Sequence, residues 1–145
     1  MIPLKQDKDY NCATYSLHFL LGLYGIESSL KELEEIIGTT EQDGTSHEGI
    51  KNGLSHFNFK WVSYDGSDIS MLKDSLPAII NYQHLEDGKY DGHYCVVLGT
   101  GNNFFIIYNP STGEIESIEF DYLDKNWYSE RYGKGWLIKP SKIIQ

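Results

Sequence analysis

The chain has 145 residues, 40% hydrophobic and 14% aromatic, with a formal net charge of −9. That size suits a single domain, expected to span residues 1–145, and the composition is that of a folded chain rather than a disordered one. The acidic balance speaks against a nucleic-acid partner and against adsorption to an anionic membrane surface.

Cys12 to Tyr24 places Ala13, Leu17, Leu20, Leu21 and Tyr24 at helical spacing, with Asn11 as N-cap and Gly25 as stop. A second helix is expected over 30–37, opened by Ser29 with Glu32 and ended by Gly38. A third is expected over about 46–57, with Thr45 and Glu48 in the same capping relation. A strand over 60–64 and a small helix over 68–76, stopped by Pro77, follow. The second half changes period: 78–83, 93–98, 104–108, 115–120 and 136–139 read as strands, and 122–128 as a short helix. The stretch Glu86 to Gly92 reads as a mobile loop ahead of His93. Short links between strands favour antiparallel pairing, so the expected class is α+β, a helical N-terminal half packed on an antiparallel sheet.

Only two cysteines occur, Cys12 and Cys95. A secreted disulfide framework normally has more, so two free thiols in a reducing compartment are the expectation, one bridge the alternative. The N-terminus is charged within five residues and lacks an apolar signal core, and no apolar run approaches the ~18 residues of a membrane span. A cytoplasmic location follows as an expectation.

Cys12 stands where the first helix begins, and unpaired N–H groups with a positive dipole end would stabilise a thiolate there. His93 opens the apolar strand Tyr94-Cys95-Val96-Val97-Leu98, and Asn109 ends the next strand before Pro110. Adjacent strands can bring the two side by side, with Asn109 accepting the imidazole N–H and freeing the other ring nitrogen for the thiol. The plain alternatives are a small buried cysteine, a strand-end histidine and an Asn-Pro turn. His47 and His56 are nine positions apart (56 − 47), not an i, i+4 ligand pair, and read as surface histidines. His18 reads as structural, and His84 as structural or bordering the cleft. Asp121, Trp127, Tyr128 and Trp136 receive no role, and Cys95 reads as a buried apolar residue on the side of the strand that His93 shares. No metal and no cofactor is called for.

Five stretches carry a resemblance: Gln6 to Tyr24, Gly44-Thr45-Ser46, Leu76 to Ile80, Gly92 to Leu98, and Ile107 to Gly113. In this order the sequence resembles the C39 family of bacteriocin-processing cysteine peptidases and its C39-like relatives. The resemblance implies a papain-like fold. It maps Gln6 to the oxyanion glutamine, Cys12 to the nucleophile, His93 to the general base and Asn109 to the orienting residue. The family usually has Gly after the Cys, where this chain has Ala13, and Asp before the Pro, where it has Asn109. The implied function is hydrolysis of a peptide or amide bond in a peptide or protein substrate through a thioester. Amide transfer or deamidation on the same residues, and a non-catalytic peptide-binding module, are the alternatives. The 145 residues hold no transporter domain, so a partner transporter or pathway protein would act in trans.

Overall fold

The computed structural model describes residues 2–129 and 133–143. Three helices come first: α1 (Cys12–Leu23), α2 (Leu30–Ile37) and α3 (His47–His56). Strand β1 (Phe59–Tyr64) and helix α4 (Ile69–Lys73) lead to the meander β2 (Ala78–Glu86), β3 (Lys89–Thr100), β4 (Phe104–Asn109) and β5 (Glu114–Glu119). Helix α5 (Phe120–Asn126), a small β6–β7 ribbon (Tyr128–Ser129, Gly133–Lys134) and β8 (Leu137–Ile143) complete the chain. The main sheet runs β1-β8-β2-β3-β4-β5, antiparallel at every pairing, which is the α+β arrangement expected.

Period-two alternation splits the core between the two faces of this sheet. Ile79, Tyr94, Val96, Tyr108 and Ile138 pack on the helical layer, where Leu17, Leu20 and Leu21 of α1 are fully buried. Ile80, Cys95, Val97, Ile107 and Leu137 face the other way, onto Leu72 of α4, Leu123 of α5 and Trp127. Helix α1 buries Cys12 to Leu17 without a break, which marks it as a central helix rather than an amphipathic surface one. The close approach of α3 needs Gly53: a Cβ there would lie 2.5 Å from Leu17 Cδ2 and 2.7 Å from Ile37 Cγ2.

Some expectations need correction. Helix α5 runs Phe120–Asn126 rather than 122–128, and Tyr128 belongs to β6. The N-cap of α3 is Ser46, which accepts from the Gly49 N–H, while the Thr45 hydroxyl bonds that of Thr39 at 2.6 Å instead. Helix α4 ends at Lys73, short of the expected 76. The expected mobile loop is a β-hairpin: β2 and β3 pair continuously to Glu86↔Lys89, turning through Asp87 (φ 52) and Gly88 (φ 78). Two central residues with positive φ form the turn that matches strand twist. His93 therefore lies inside a 12-residue strand, not at its mouth.

Candidate active site

Cys12 is the first residue of α1 and is 8% exposed. Asn11 holds the N-cap position, yet its side chain does not cap the helix. Its Oδ1 accepts from the Lys8 N–H, and its Nδ2 donates to Asp7 Oδ1 at 2.7 Å and Glu34 Oε1 at 3.0 Å. The polar side chain thus ties the N-terminal segment to α2 and takes none of the first-turn N–H groups.

The strand ladder explains how the sulfur reaches the sheet. Val96 pairs with Tyr108, so one further step sets Asn109, the end of β4, opposite Cys95. Strand β3 runs on past that end. Its Tyr94 N–H, which a longer β4 would have claimed, donates to Cys12 Sγ at 3.4 Å.

The same register brings His93 and Asn109 together. His93 and Cys95 share a face, so Asn109 is the diagonal cross-strand neighbour of His93. His93 Nε2 and Asn109 Oδ1 are 2.8 Å apart, and the Ser111 N–H also donates to that oxygen at 3.0 Å. A carbonyl oxygen only accepts, so the proton is on Nε2 and Nδ1 is an acceptor. His84 stacks on the His93 ring at 4.9 Å, and Tyr82 meets its edge at 5.8 Å.

Gln6 is fixed by its neighbours. Its backbone N–H donates to Pro110 O at 2.8 Å, and Tyr108 Oη donates to Leu4 O, which moors the N-terminal segment against the end of β4. One proton of Nε2 is used on Lys8 O at 2.6 Å; an amide carries two, so the second remains as a donor. Its Oε1 is buried and accepts no hydrogen bond.

Gln6, Cys12 and His93 open on one cavity of about 640 Å³, which His84 and Asn81 also line. Among the described residues lining it, the carboxylates of Asp7, Asp9, Glu41, Asp43 and Asp91 face the single ammonium of Lys8. Burial pushes the Cys12 thiol up to about 11, against the pull of the Tyr94, Ala13 and Cys12 N–H groups. Burial likewise lowers His93 to about 4, offset in part by the bond to Asn109. Desolvation thus works against the thiolate that the helix terminus favours, and it also disfavours the charged imidazole of His93 on the same cavity.

The family model for peptidase C39 matches residues 2–130. The chain belongs to the peptidase C39 family. The Lactococcin-G-processing and transport ATP-binding protein LagD of Lactococcus lactis subsp. lactis is 26% identical over 122 residues, covering 84% of this chain and 17% of that protein. The Lactococcin-A transport/processing ATP-binding protein LcnC of the same organism is 33% identical over 107 residues, 72% of this chain and 14% of its own. This C39 chain thus spans less than a fifth of either relative. Among solved structures, the peptidase domain of Streptococcus ComA superposes with a TM-score of 0.76 at 23% identity, covering 95% of this chain and 97% of that one. A double glycine motif protease from an AMS/PCAT transporter, solved with the leader peptide, gives 0.79 at 18% identity, covering 97% and 93%. These likenesses show the fold, and the papain-like class expected for a C39 domain holds.

Other residues of the C39 chain sort as follows. Both cysteines are free, and Cys95 is fully buried. His84 lines the cavity, and His56 is exposed. His47 is not a surface residue: it stacks on Trp136 at 3.8 Å and its Nδ1 meets Tyr94 Oη at 2.8 Å. The buried Trp127 donates its Nε1–H to Trp136 O, so both tryptophans are core. Among the described residues no helix is long and apolar enough to cross a membrane. Sequence reading missed Tyr94, Ser111 and Glu116 around the site. Glu116 was within reach: the four-residue turn 110–113 sets Asn109 opposite Glu114, and so brings Glu116 diagonally beside Asn109 on the same face.

Proposed function

We propose that this C39 chain is a cysteine-nucleophile hydrolase that cleaves a peptide or amide bond through a thioester at Cys12. One observation carries the reading. The 2.8 Å bond from His93 Nε2–H to Asn109 Oδ1 leaves the imidazole with its other nitrogen as an acceptor, and His93 and Cys12 line one cavity. In this reading His93 Nδ1 takes the thiol proton as substrate arrives, and the sulfur attacks the carbonyl carbon. The Cys12 N–H and the free Nε2–H of Gln6 hold the oxyanion, each worth ~3 kcal/mol in the transition state. His93 returns the proton to the leaving amine, and water then releases the acyl group from sulfur as a carboxylic acid. Asn109 keeps the ring in one tautomer throughout.

The acidic lining favours a neutral or basic peptide. The names of the Lactococcus relatives join processing to transport, so the proposed source of substrate is a peptide exporter, in the same polypeptide or in trans.

The test is incubation with a library of basic peptides, read by mass spectrometry, with Cys12→Ala as control. Cleavage that disappears in Cys12→Ala supports hydrolysis. A Cys12-dependent gain of about one mass unit without cleavage assigns deamidation instead. Peptides retained unchanged by both proteins assign a binding module and overturn the proposal.

A further inference from the structure

We infer that Glu116 is a positioning residue that sets the direction of the Asn109 amide and, through it, the tautomer of His93. The inference deepens the proposed function and rests on it for its catalytic meaning. The two ends of an asparagine amide have nearly the same shape but opposite hydrogen-bonding character. Turned one way, Asn109 presents Oδ1 to the ring, requires a proton on Nε2 and leaves Nδ1 able to accept. Turned the other way, it presents Nδ2–H, requires a bare Nε2 and moves the proton to Nδ1. The thiol would then have no base.

Two contacts besides His93 determine which way the amide lies. The Ser111 N–H donates at 3.0 Å and so demands oxygen. On the other side Asn109 Nδ2 donates to Glu116 Oε1 at 3.1 Å, and a carboxylate demands a donor there. The second oxygen of Glu116 is held in turn by the Thr112 hydroxyl, in the turn that joins β4 to β5. The donors converge on Glu116: the Thr112 hydroxyl and Asn109 Nδ2–H both donate to its carboxylate, while His93 Nε2–H donates to Asn109 Oδ1. The carboxylate of Glu116 stands one hydrogen bond away from the ring's own partner, and the neutral amide of Asn109 spans the gap.

This arrangement makes a carboxylate the wrong group at position 109 in this chain. Asn109→Asp would set two carboxylates at hydrogen-bonding distance, and like charges so close cannot both ionise without cost. Adding Glu116→Gln restores a donor facing the new carboxylate.

The test reads the ring directly. Nitrogen-15 spectra of His93 at pH 7 report which nitrogen carries the proton, with or without catalysis. Wild type is expected to show a single Nε2–H form. Glu116→Ala is expected to show mixed forms, with kcat on a cleaved peptide falling roughly 10- to 100-fold at little change in KM. Glu116→Gln, which can still accept from Asn109, is expected to keep the single form and guards against a folding defect in the alanine variant. Asn109→Asp is expected to be less active than wild type and to regain activity when combined with Glu116→Gln. An unchanged single Nε2–H form in folded Glu116→Ala overturns the inference, whatever kcat does. The expected spectra in a protein that cleaves no peptide would leave Glu116 in this role and overturn the hydrolase reading alone.

Discussion

The backbone N–H of Gln6 donates to the carbonyl of Pro110 at 2.8 Å, which ties the candidate oxyanion donor to the turn that follows Asn109. Two parts of the proposed machinery, a hundred residues apart in the chain, therefore share one anchor. The approach is tight. Gly113 has φ +73, and a Cβ there would stand 2.6 Å from Lys5 N and 2.8 Å from Lys5 Cα.

Gly113→Ala should displace Lys5 and Gln6. We expect kcat on a cleaved peptide to fall about tenfold or more, because small misplacements of a transition-state donor are costly. Gly38→Ala is the control. Its φ is +74, yet nothing lies within 4 Å. It should lower thermal stability through strain, of order 1 kcal/mol, and leave kcat unchanged. Equal kcat values for the two variants would refute the tether.

Thiol alkylation should follow pH in a particular way. Burial pushes the Cys12 thiol up to about 11, and it pushes the Cys95 thiol well above its ordinary value. Iodoacetamide should modify Cys12 slowly at pH 6 and roughly tenfold faster per pH unit from 7 to 10, since the thiolate reacts. Cys95, sealed in the core, should stay unlabelled until the protein unfolds. Fast labelling of Cys12 that does not change between pH 6 and 9 would show a preformed thiolate and contradict the upward push of burial.

Acid should destabilise the fold chiefly through two histidines, with His18, also lowered by burial, adding to them. Burial lowers both His47 and His93 to about 4. Between that value and their ordinary pKa the unfolded chain binds more protons, so stability rises with pH across this window and is lost on acidification. Each contributes at most about 1.4 kcal/mol per pH unit. Urea denaturation at pH 7, 6 and 5 should show the loss. In His47→Gln the slope should drop clearly, with His93 and His18 left to supply the remainder. An undiminished slope would exclude His47 as a source.

The five cleft carboxylates should make basic peptides salt-sensitive substrates. Screening shortens from ~10 Å at 0.1 M to ~3 Å at 1 M salt. KM for a lysine-rich peptide should therefore rise several-fold over that range, while KM for a neutral peptide of equal length should hold. The measurement is a steady-state titration at each salt concentration. Parallel behaviour of the two peptides would show that the carboxylates do not contact substrate.

The parts of the fold marked by local chemistry were readable in advance. Helix α2 has the bounds its caps announce, because Ser29 accepts from the Glu32 N–H and Gly38 takes the left-handed conformation. The 86–92 hairpin was not read, because its residues are polar on both sides and show no alternation. The one available signal was Asp87-Gly88, a two-residue turn pair. In the site, Cys12, His93 and Asn109 stand out because each sits at the start or end of an apolar run. His47 was misjudged because what covers it, Trp136, lies 89 positions away (136 − 47) and leaves no trace in the α3 sequence. Glu116 was missed for a related reason: its relation to Asn109 depends on counting the turn, not on any motif.

The thiol belongs to the helical layer, and the imidazole and amide belong to the sheet. What joins them is the docking of α1 on β3, seen in the Tyr94 N–H that reaches Cys12 Sγ. A molecule in which α1 has lifted away still carries every group of the constellation, but as separate, unreactive parts. Reactivity at Cys12 would then follow layer assembly rather than helix content, and a partial opening that circular dichroism barely registers could silence it.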